Sequence, residues 1–459
     1  MPDLLIQGGR IIDPASGFDQ TADLLISDGV VAAIGHLPHD DGTQRLDAEG
    51  CIVAPGLIDV HVHFREPDPE HRETIAAGCA AAARGGFTAV CCMPNTRPPI
   101  DGPQLVDHVK QRGRDAGGTR VFASGCASEG RLGKRPSAIE AMSRAGAVAF
   151  TDDGDCVADA GLMQKILKAV RASGRCFMQH AQEPSMTRGA AMNAGVLATR
   201  LALGGWPAQA EQVILERDFR LNRGIGCRYH AQHLSSRGSV ELVRQARSDD
   251  QPVTAEASPH HLLLTEDACD GYDTSAKVNP PLRTSSDIEG LKQGIADGTI
   301  TILATDHAPH PPHRKNVDFE TAAFGIVGLE AALPLYMKAL LDDGVIDLCA
   351  MLAMMTCNPA RLLGIDRMGL GALSVGGPAD VTVIDPNMQW TIRADEFAST
   401  GRNCPFDGWT VRGRAIATIV AGETAYRLGS TDARPSPIPQ APRRSQEPTA
   451  HPANRPAAP

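Results

Sequence analysis

Two histidines, His61 and His63, stand two residues apart in the segment Ile58–Pro67, which reads Ile-Asp-Val-His-Val-His-Phe-Arg-Glu-Pro. The residues around them are apolar and favour a buried β-strand, in which alternate side chains lie on the same face. Both imidazoles would therefore project from one side of a short strand. Neutral imidazole is a common ligand of Zn²⁺, so this spacing predicts a metal site. An isolated His-x-His is equally typical of two hydrogen-bonded side chains at a strand end, and other residues must decide.

Further nitrogen and oxygen donors follow other short apolar runs of the chain. An acidic pair, Asp152 and Asp153, follows the fourth run, His180 and His233 follow the next two, and Asp306 follows the eighth. A single histidine or aspartate after a strand is more often a capping or hydrogen-bonded residue than a metal ligand. Donors at the ends of five strands are instead typical of one shared site. The predicted ligands are His61, His63, Asp153, His180, His233 and Asp306.

These six donors exceed the number that one tetrahedral Zn²⁺ needs. We therefore expect one or two metal ions, and favour two ions about 3.5–4 Å apart that share one carboxylate. Asp153 is predicted to be the shared carboxylate, because Asp152 would face away in an extended segment. Asp306 is predicted to bind one ion and to act as general base on the attacking water, and as general acid in the return step.

The composition limits the classes of protein that the chain can belong to. Of its 459 residues, 42% are hydrophobic and only 4% aromatic, so a large core would be mostly aliphatic. The net charge of −10 disfavours nucleic-acid binding, which needs a basic surface. No apolar run reaches the ~18 residues of a membrane helix, and the chain starts without a secretory signal. The 12 cysteines show no Cys-x-x-Cys spacing, which predicts reduced thiols and a cytoplasmic protein.

The middle of the chain, about residues 53–365, repeats one pattern: a short apolar run, a loop with Gly or Pro, and a helix-compatible stretch. About eight such units predict a (β/α)₈ barrel of the TIM type, whose strands end at one common rim. A doubly wound sheet would need a glycine-rich phosphate loop after its first strand, and Phe64–Pro67 is nothing like one. The predicted strands are 57–62, 87–92, 120–123, 147–150, 176–179, 227–232, 253–257 and 300–305.

Both ends of the chain differ from the middle. Short β-rich runs at 3–12 and 22–35 read as hairpins, and similar runs return at 379–385 and 416–423. We expect a small β-sandwich domain built from both ends, residues 1–52 and 366–429, beside a catalytic barrel of residues 53–365. Residues 430–459 contain eight prolines and no aromatic residue, which predicts a disordered tail.

Eight motifs together resemble those of the bacterial class I dihydroorotases, a family of the amidohydrolase superfamily of metal-dependent barrels. They occur in the family's order, within about residues 3–425. The motifs are His61–Pro67, Met93–Thr96, Phe150–Gly154, His233–Ser236, Ser258–Leu262, Asn279–Arg283, Thr305–His310 and Phe324–Glu330. The resemblance implies zinc-dependent, reversible cyclisation of N-carbamoyl-L-aspartate to L-dihydroorotate in de novo pyrimidine biosynthesis. It also implies that the six ligands named above hold the zinc.

The resemblance further implies a set of substrate contacts. They are His63, Arg65, Asn95, Asn279, His310, Phe324 and Gly325. The chemistry agrees, because a dianionic substrate needs cationic and amide donors, and the Arg65 guanidinium offers a planar fork for a carboxylate. Without its motif, Arg65 would more often form a surface salt bridge. The loop 307–325 is long for a barrel connection, and we expect it to act as a lid that brings His310 to the substrate.

Two departures from the family pattern are small. Ala323 stands where many relatives have Pro before Phe-Gly, so we expect a more mobile loop there. After His180, the residues Ala181-Gln182-Glu183 replace the more usual Cys-Glu-Asp. Neither departure removes a proposed ligand.

Two other functions remain as alternatives. A hydantoinase- or allantoinase-like cyclic amidohydrolase would resemble this barrel, but such relatives bridge their metals with a carboxylated lysine after strand four, where this chain has Asp152-Asp153. A non-catalytic dihydroorotase-like partner of aspartate transcarbamoylase would typically have lost the metal histidines, and all four are present. For the enzyme we expect a small-molecule substrate and a homodimer, with association with aspartate transcarbamoylase left open.

Overall fold

The protein is described by a computed structural model over residues 3–38, 43–68 and 72–430. The β-strands, numbered β1 to β18 in chain order, are Leu4–Asp13, Phe18–Ser27, Val30–Gly35, Gln44–Asp47, Ile52–Pro55, Leu57–Val62, Phe87–Cys92, Arg120–Cys126, Ala149–Thr151, Cys176–Gln179, Met192–Asn193, Gly205–Trp206, Arg228–Ala231, Val253–Ala257, Ile302–Leu303, Val381–Thr391, Thr410–Val420 and Glu423–Arg427.

The α-helices, numbered α1 to α14, are Ile75–Arg84, Pro103–Ala116, Ile139–Ala145, Ala160–Ala172, Pro184–Thr187, Val196–Arg200, Gln209–Asn222, Arg237–Ser248, Pro259–Leu263, Ser285–Ala296, Pro312–Lys315, Ala332–Tyr336, Leu348–Met355 and Cys357–Leu363. Several short 3₁₀ turns and a π-helical stretch, Met337–Asp342, complete the described elements. Among these helices, none is long and apolar enough to cross a membrane.

Eight parallel strands form the barrel in the order β6–β7–β8–β9–β10–β13–β14–β15. A parallel bridge between Val62 and His307 closes the ring, and the backbone N–H of His63 donates to His307 O at 2.9 Å. The predicted (β/α)₈ fold is therefore confirmed. Strand β15 is shorter than the predicted run 300–305: at its start the N–H of Ile300 donates to Gly294 O, and beyond its end the N–H of Thr305 donates to the Asp59 carboxylate, 3.1 Å from Oδ2.

The barrel strands are buried on both faces, which explains their largely apolar sequences. Every residue of β6 and β7 is buried, and their sequences are nearly continuous apolar runs. The helices that cover them present one apolar stripe, as α4 does with Leu162, Ile166 and Val170. Thr74 begins α1 by accepting a hydrogen bond from the N–H of Ala77. The polar residues at the strand ends are thus held by a buried, largely apolar scaffold.

The second sheet contains strands from both chain ends. Its order is β18–β17–β16–β5–β1–β2–β3, and β4 pairs with β1. Most of its pairs are antiparallel, and β1 pairs in parallel with β4 and β5. Ile6, Leu24, Val53, Val383 and Ile419 share one core. The prediction that both chain ends build one small β domain is confirmed, and the strands expected to form a sandwich belong to one continuous sheet.

The segment 392–409, between β16 and β17, was not singled out by the sequence analysis, yet it reaches the barrel rim. Ile392, Phe397 and Phe406 share a core with Phe319, inside the loop 307–325 that follows β15, and with Ile326, directly after that loop. This packing joins the β domain to the loop that carries His310. All 12 cysteines are free. The exact domain boundaries stay a prediction, and the predicted tail lies outside the described residues apart from Ser430.

Candidate metal centre and active site

His61 projects from the end of β6 into a buried cluster of polar side chains. Its Nδ1 lies 2.6 Å from Oε1 of Glu256, so Nδ1 carries the proton and donates to the carboxylate. The lone pair of Nε2 then faces the cluster, 3.3 Å from Oδ1 of Asp153 and 3.4 Å from Oδ1 of Asp306. Orientation of an imidazole by a carboxylate on its far nitrogen is typical of metal-binding histidines.

His63 is held in the same way by an amide. Its Nδ1 lies 2.9 Å from Oδ1 of Asn95, which leaves Nε2 facing the two aspartates. That nitrogen is 3.0 Å from Oδ1 of Asp306 and 3.3 Å from Oδ2 of Asp153. Asn95 was predicted as a substrate contact, and the structure gives it a further contact with this candidate ligand.

His180 and His233 approach from the neighbouring strand ends, after β10 and β13. Nε2 of His180 donates to Oε1 of Gln182 at 2.9 Å, so Nδ1 is the free donor atom. This Nδ1 lies 2.8 Å from Nε2 of His233. Both nitrogens also face Oδ1 of Asp153, at 3.6 Å and 3.7 Å. The Gln182 that departs from the family pattern therefore still orients a histidine.

Asp153 lies at the centre of the cluster, and its two oxygens face different partners. Oδ1 faces His61, His180 and His233, whereas Oδ2 faces His63. Asp152 points away, as expected, and accepts from the backbone N–H groups of Ala127 and Ser128 and from the Ser128 hydroxyl. Only the second aspartate of the pair is thus available to the cluster.

The donor set fits a bound metal. Two groups, His61–Asp153–His233 and His61–His63–Asp306, each bring three ligand atoms within 4.8 Å of one another. Nε2 of His61 and Oδ1 of Asp153 are buried without a hydrogen-bond partner, an arrangement that costs free energy unless a cation lies between them. Two ligand atoms on one tetrahedral Zn²⁺ lie about 3.3 Å apart, which is close to the separations observed here.

The protonation states agree with this role. Burial would raise the pKa of Asp306, but the neighbouring His61 and His63 hold it well below its usual value, so the group is an anion. Burial lowers the pKa of His180 to about 4, with a further contribution from His233. Burial also opposes the charge of Glu256, yet His61 and His230 lower its pKa to about 2. Burial opposes the charge of His61 and His233 as well, but the neighbouring carboxylates raise the pKa of both rings, so metal binding there would release protons.

A cavity of about 190 Å³ opens beside the cluster. Its walls contain five of the six candidate metal ligands and all of the predicted substrate contacts. The lining residues are His63, Arg65, Asn95, Asp153, Gly154, His180, His233, Val278, Asn279, Asp306, Ala308, His310, Phe324 and Gly325. His61 lies just below this surface, fully buried. The structure therefore brings every predicted site residue to one rim of the barrel.

Besides Asp153, three polar side chains in this cavity have buried atoms without a hydrogen-bond partner. They are Nε of Arg65, Oδ1 of Asn279 and Nδ1 of His310. Burial lowers the pKa of Arg65 to about 9, which still leaves the guanidinium charged at neutral pH. A buried cation with a free N–H donor is prepared for an anionic ligand.

His310 differs in one respect from expectation. Its Nε2 donates to Phe324 O at 2.8 Å, which leaves Nδ1 as an acceptor while the ring is neutral. Burial, Arg65 and Lys315 lower its pKa. A donor role toward a substrate carboxylate therefore requires that His310 gain a proton as the carboxylate arrives.

The loop that carries His310 is fastened by two buried lysines. Lys315 Nζ donates to the carbonyls of Ala323 at 2.8 Å, Gly325 at 3.1 Å and Lys277 at 3.3 Å. Lys277 Nζ donates to Phe319 O and Glu320 O, and it lies 4.3 Å from the Phe324 ring centroid. Gly325 has φ +145°, and a Cβ there would lie 2.7 Å from Ala308 O. The loop on the substrate side of the cavity is thus held by several hydrogen bonds and by close packing at Gly325.

Asn403 connects this loop to the segment 392–409. Its Nδ2 donates to Ala308 O and Gly325 O, and its Oδ1 accepts from the N–H of His310 at 3.0 Å. The lid motion inferred from the sequence stays a prediction, and so does greater mobility at Ala323. The contacts show a loop that already lies against the cavity.

Sequence reasoning missed several supporting residues. Glu256 is an acidic residue inside the apolar strand β14, and that unusual position could have drawn attention to it. Lys277 and Lys315 adjoin recognised motifs, but no sequence pattern showed that both amines are buried. Asn403 lies 93 residues from its partner His310, with no local signal.

A parallel barrel with clustered histidines and aspartates at its carboxyl rim defines a metal-dependent hydrolase. The sequence profile of the Amidohydrolase family matches residues 52–425, so the chain belongs to this family.

Within the family, the chain is similar to bacterial dihydroorotases over nearly its whole length. It is 44% identical to the dihydroorotase of Geobacter sp. (strain M21), over 93% of this chain and 100% of that protein. It is 45% identical to the dihydroorotase of Pelotomaculum thermopropionicum, over 92% of this chain and 98% of that protein.

Solved structures with the same fold include hydantoinases. The L-hydantoinase from Arthrobacter aurescens superposes with a TM-score of 0.84 at 26% identity, covering 95% of this chain and 98% of that one. The dihydropyrimidinase from Brevibacillus agri gives 0.81 at 20% identity, covering 96% and 100%, and shows the fold alone. The fold is thus shared with other enzymes of cyclic amides.

Proposed function

We propose that the protein is a dihydroorotase that interconverts N-carbamoyl-L-aspartate and L-dihydroorotate in pyrimidine biosynthesis. The observation that carries the proposal is the pairing, in one 190 Å³ cavity, of the histidine–aspartate cluster with the unpartnered Nε of Arg65. Identity of 40–45% with bacterial dihydroorotases over almost the full chain supports it. The enzyme acts as a hydrolase on a cyclic amide in the ring-opening direction.

The proposed cofactor is zinc, bound by His61, His63, Asp153, His180, His233 and Asp306. Two ions are favoured, with Asp153 shared, because its oxygens face separate groups of histidines. When bound, zinc would polarise the scissile carbonyl and increase the acidity of water. The second-sphere partners Glu256, Asn95 and Gln182 fix which ring nitrogen each histidine offers.

Asp306 is proposed as the proton carrier. Its carboxylate is anionic, buried, and aimed into the cavity between His61 and His63. In ring opening it would take the proton of the attacking water and pass it to the departing amide nitrogen. In ring closure the same group would take a proton from the ureido nitrogen.

Arg65, Asn95 and His310 are proposed to bind and orient the substrate carboxylate, and all three line one cavity. The free Nε of Arg65 would donate to the carboxylate, and His310 would donate once its Nδ1 gains a proton. Asn279, whose unpartnered Oδ1 is an acceptor, would take an N–H of the substrate instead, and the Phe324–Gly325 backbone lines the same wall. This arrangement favours a cyclic substrate that carries a carboxylate over a neutral one.

A cytoplasmic homodimer is part of the proposal, and so is association with aspartate transcarbamoylase as a further arrangement. Separation of the native protein by size with light scattering, alone and with aspartate transcarbamoylase, tests both. A monomer that does not bind aspartate transcarbamoylase would reject the homodimer and the association. The catalytic assignment would be unaffected.

The alternative activity is that of a hydantoinase, since a hydantoinase is among the solved structures with this fold. The experiment compares ring opening of L-dihydroorotate and of hydantoin by the metal-loaded protein. A dihydroorotase should open the acidic ring at least about 100-fold more efficiently, because a hydrogen-bonding site rejects an analogue that leaves its buried groups unpaired. Preference for hydantoin would reject the proposal.

A further inference from the structure

A second cavity, of about 510 Å³, lies where the barrel meets the β domain. It is formed by the end of α1, the strands β16–β18 and the 3₁₀ turn Ala394–Glu396 that follows β16. Its volume is in the range of small-molecule sites and exceeds that of the catalytic cavity. None of its lining residues belongs to the proposed catalytic site, so a ligand there would have a separate role.

The charge of this cavity is predominantly positive. Its ionisable residues are the arginines Arg84, Arg393, Arg414 and Arg427 and the glutamates Glu330 and Glu396. Burial raises the pKa of Glu330 to about 7, which reduces its negative charge near neutral pH. The arginines come from α1, β17, β18 and the segment after β16, so the fold gathers them from distant parts of the chain. Guanidinium groups gathered in this way are typical of sites for phosphate or carboxylate groups.

Two of the arginines are already positioned by neighbouring groups. Arg414 stacks on the Trp390 indole, with its guanidinium carbon 4.5 Å from the ring centroid. Arg84 donates to the backbone carbonyl of Glu396 at 2.9 Å and lies 3.8 Å from the Glu330 carboxylate. Such fixed side chains lose less conformational freedom when an anion binds.

Aromatic side chains supply the remaining surface. Trp390, Tyr426 and Phe397 line the cavity beside the arginines. Aromatic rings next to guanidinium groups can stack a planar ring while the cations bind an attached anion. A free inorganic anion would leave this apolar surface unused.

From these features we propose that the cavity binds a phosphate monoester of a planar ring compound, that is, a nucleotide. The phosphate would contact Arg84, Arg393 and Arg414, and the base would lie against Trp390 and Tyr426. The proposal is independent of the catalytic assignment, because the two cavities share no residue.

The test is calorimetric titration of the metal-loaded full chain with three probes: AMP, adenosine and inorganic phosphate. We expect saturable binding of AMP, at least about tenfold weaker binding of phosphate alone, and still weaker binding of adenosine. Equal binding of AMP and phosphate would overturn the nucleotide assignment, and an absence of AMP binding at millimolar concentration would overturn the site.

Variants that remove either a positive or a negative charge from the cavity test whether AMP binds there. Arg393→Gln and Arg414→Gln should each weaken AMP binding about tenfold or more, since a charge-assisted hydrogen bond is lost. Glu330→Gln should strengthen it, because an opposing charge is removed. Arg144→Gln, on α3 and 75% exposed, is the matched control and should change nothing.

Dihydroorotase activity and melting temperature of each variant show whether the protein is folded. Wild-type AMP affinity in both arginine variants, or weaker binding in Glu330→Gln, would place the ligand elsewhere and reject the proposal. Failure of the catalytic assignment would appear as an inactive wild type and leave this result unaffected.

Discussion

Asp153 directs its Oδ2 at Nε2 of His63, 3.3 Å away, while its other oxygen faces His61, His180 and His233. A carboxylate between two groups of imidazoles is the arrangement expected of a ligand shared by two ions.

Asp153→Ala should therefore lower bound zinc and reduce turnover by more than about 100-fold, which exceeds the usual effect of changing a residue behind a ligand. The measurement is metal content by mass spectrometry beside the rate. Asp152→Asn is the matched control with a far milder effect, because Asp152 bonds to Ala127 and Ser128 instead. Full zinc and near-normal rate in Asp153→Ala would contradict the shared-ligand assignment.

Substitution of Arg65 tests the substrate side. Lysine keeps the charge but cannot offer the planar fork, so Arg65→Lys should lower kcat/KM for dihydroorotate roughly tenfold to a hundredfold. Zinc content should stay at the wild-type level, because Arg65 is not a proposed ligand. An unchanged kcat/KM would reject the carboxylate-binding role.

The buried Lys315 tests whether the loop is held for substrate binding. Lys315→Met removes the N–H donors from three carbonyls, and we expect KM to rise about tenfold with zinc content unchanged. Proteolysis within 307–325 should become faster. Lys165→Met, on the exposed face of α4, is the control. A wild-type KM together with wild-type proteolysis would show that the amine does not hold the loop.

Glu330 predicts a specific pH dependence of stability. Burial raises its folded pKa to about 7 from the ordinary value of 4.5, so its contribution to stability is complete below pH 4.5 and is lost as the pH rises through 7. The shift corresponds to at most about 3 kcal/mol.

Glu330→Gln removes this loss, so the melting temperature of the variant relative to wild type should be higher at pH 8 than at pH 5. Glu140→Gln, whose side chain is 76% exposed, should show no such difference. Parallel pH profiles for Glu330→Gln and wild type would contradict the raised pKa.

The sequence was sufficient to predict the barrel and the gathering of histidines and aspartates at its rim, because both depend on local patterns. The strand bearing His61 follows the predicted bounds 57–62, and the donors after β9, β10, β13 and β15 follow from strand ends that share one rim. The pairing of chain ends in one β domain was visible in the return of similar β-rich runs.

Other parts of the site depend on packing between distant segments. Glu256 reaches His61 across 195 residues, and Asn403 reaches His310 across 93. At both ends of β15 a backbone N–H has a partner outside the ladder, Gly294 O for Ile300 and the Asp59 carboxylate for Thr305, which periodicity does not show. These contacts depend on three-dimensional geometry, which local sequence patterns do not specify.

The central claim is metal-dependent ring opening of dihydroorotate at the His61–Asp306 cluster. The most direct measurement is the ultraviolet change of L-dihydroorotate with the protein as purified, after chelation, and after zinc is restored. We predict activity that chelation abolishes and zinc returns, and no recovery in Asp306→Asn. Full activity after complete removal of metal, or in Asp306→Asn, would contradict the account.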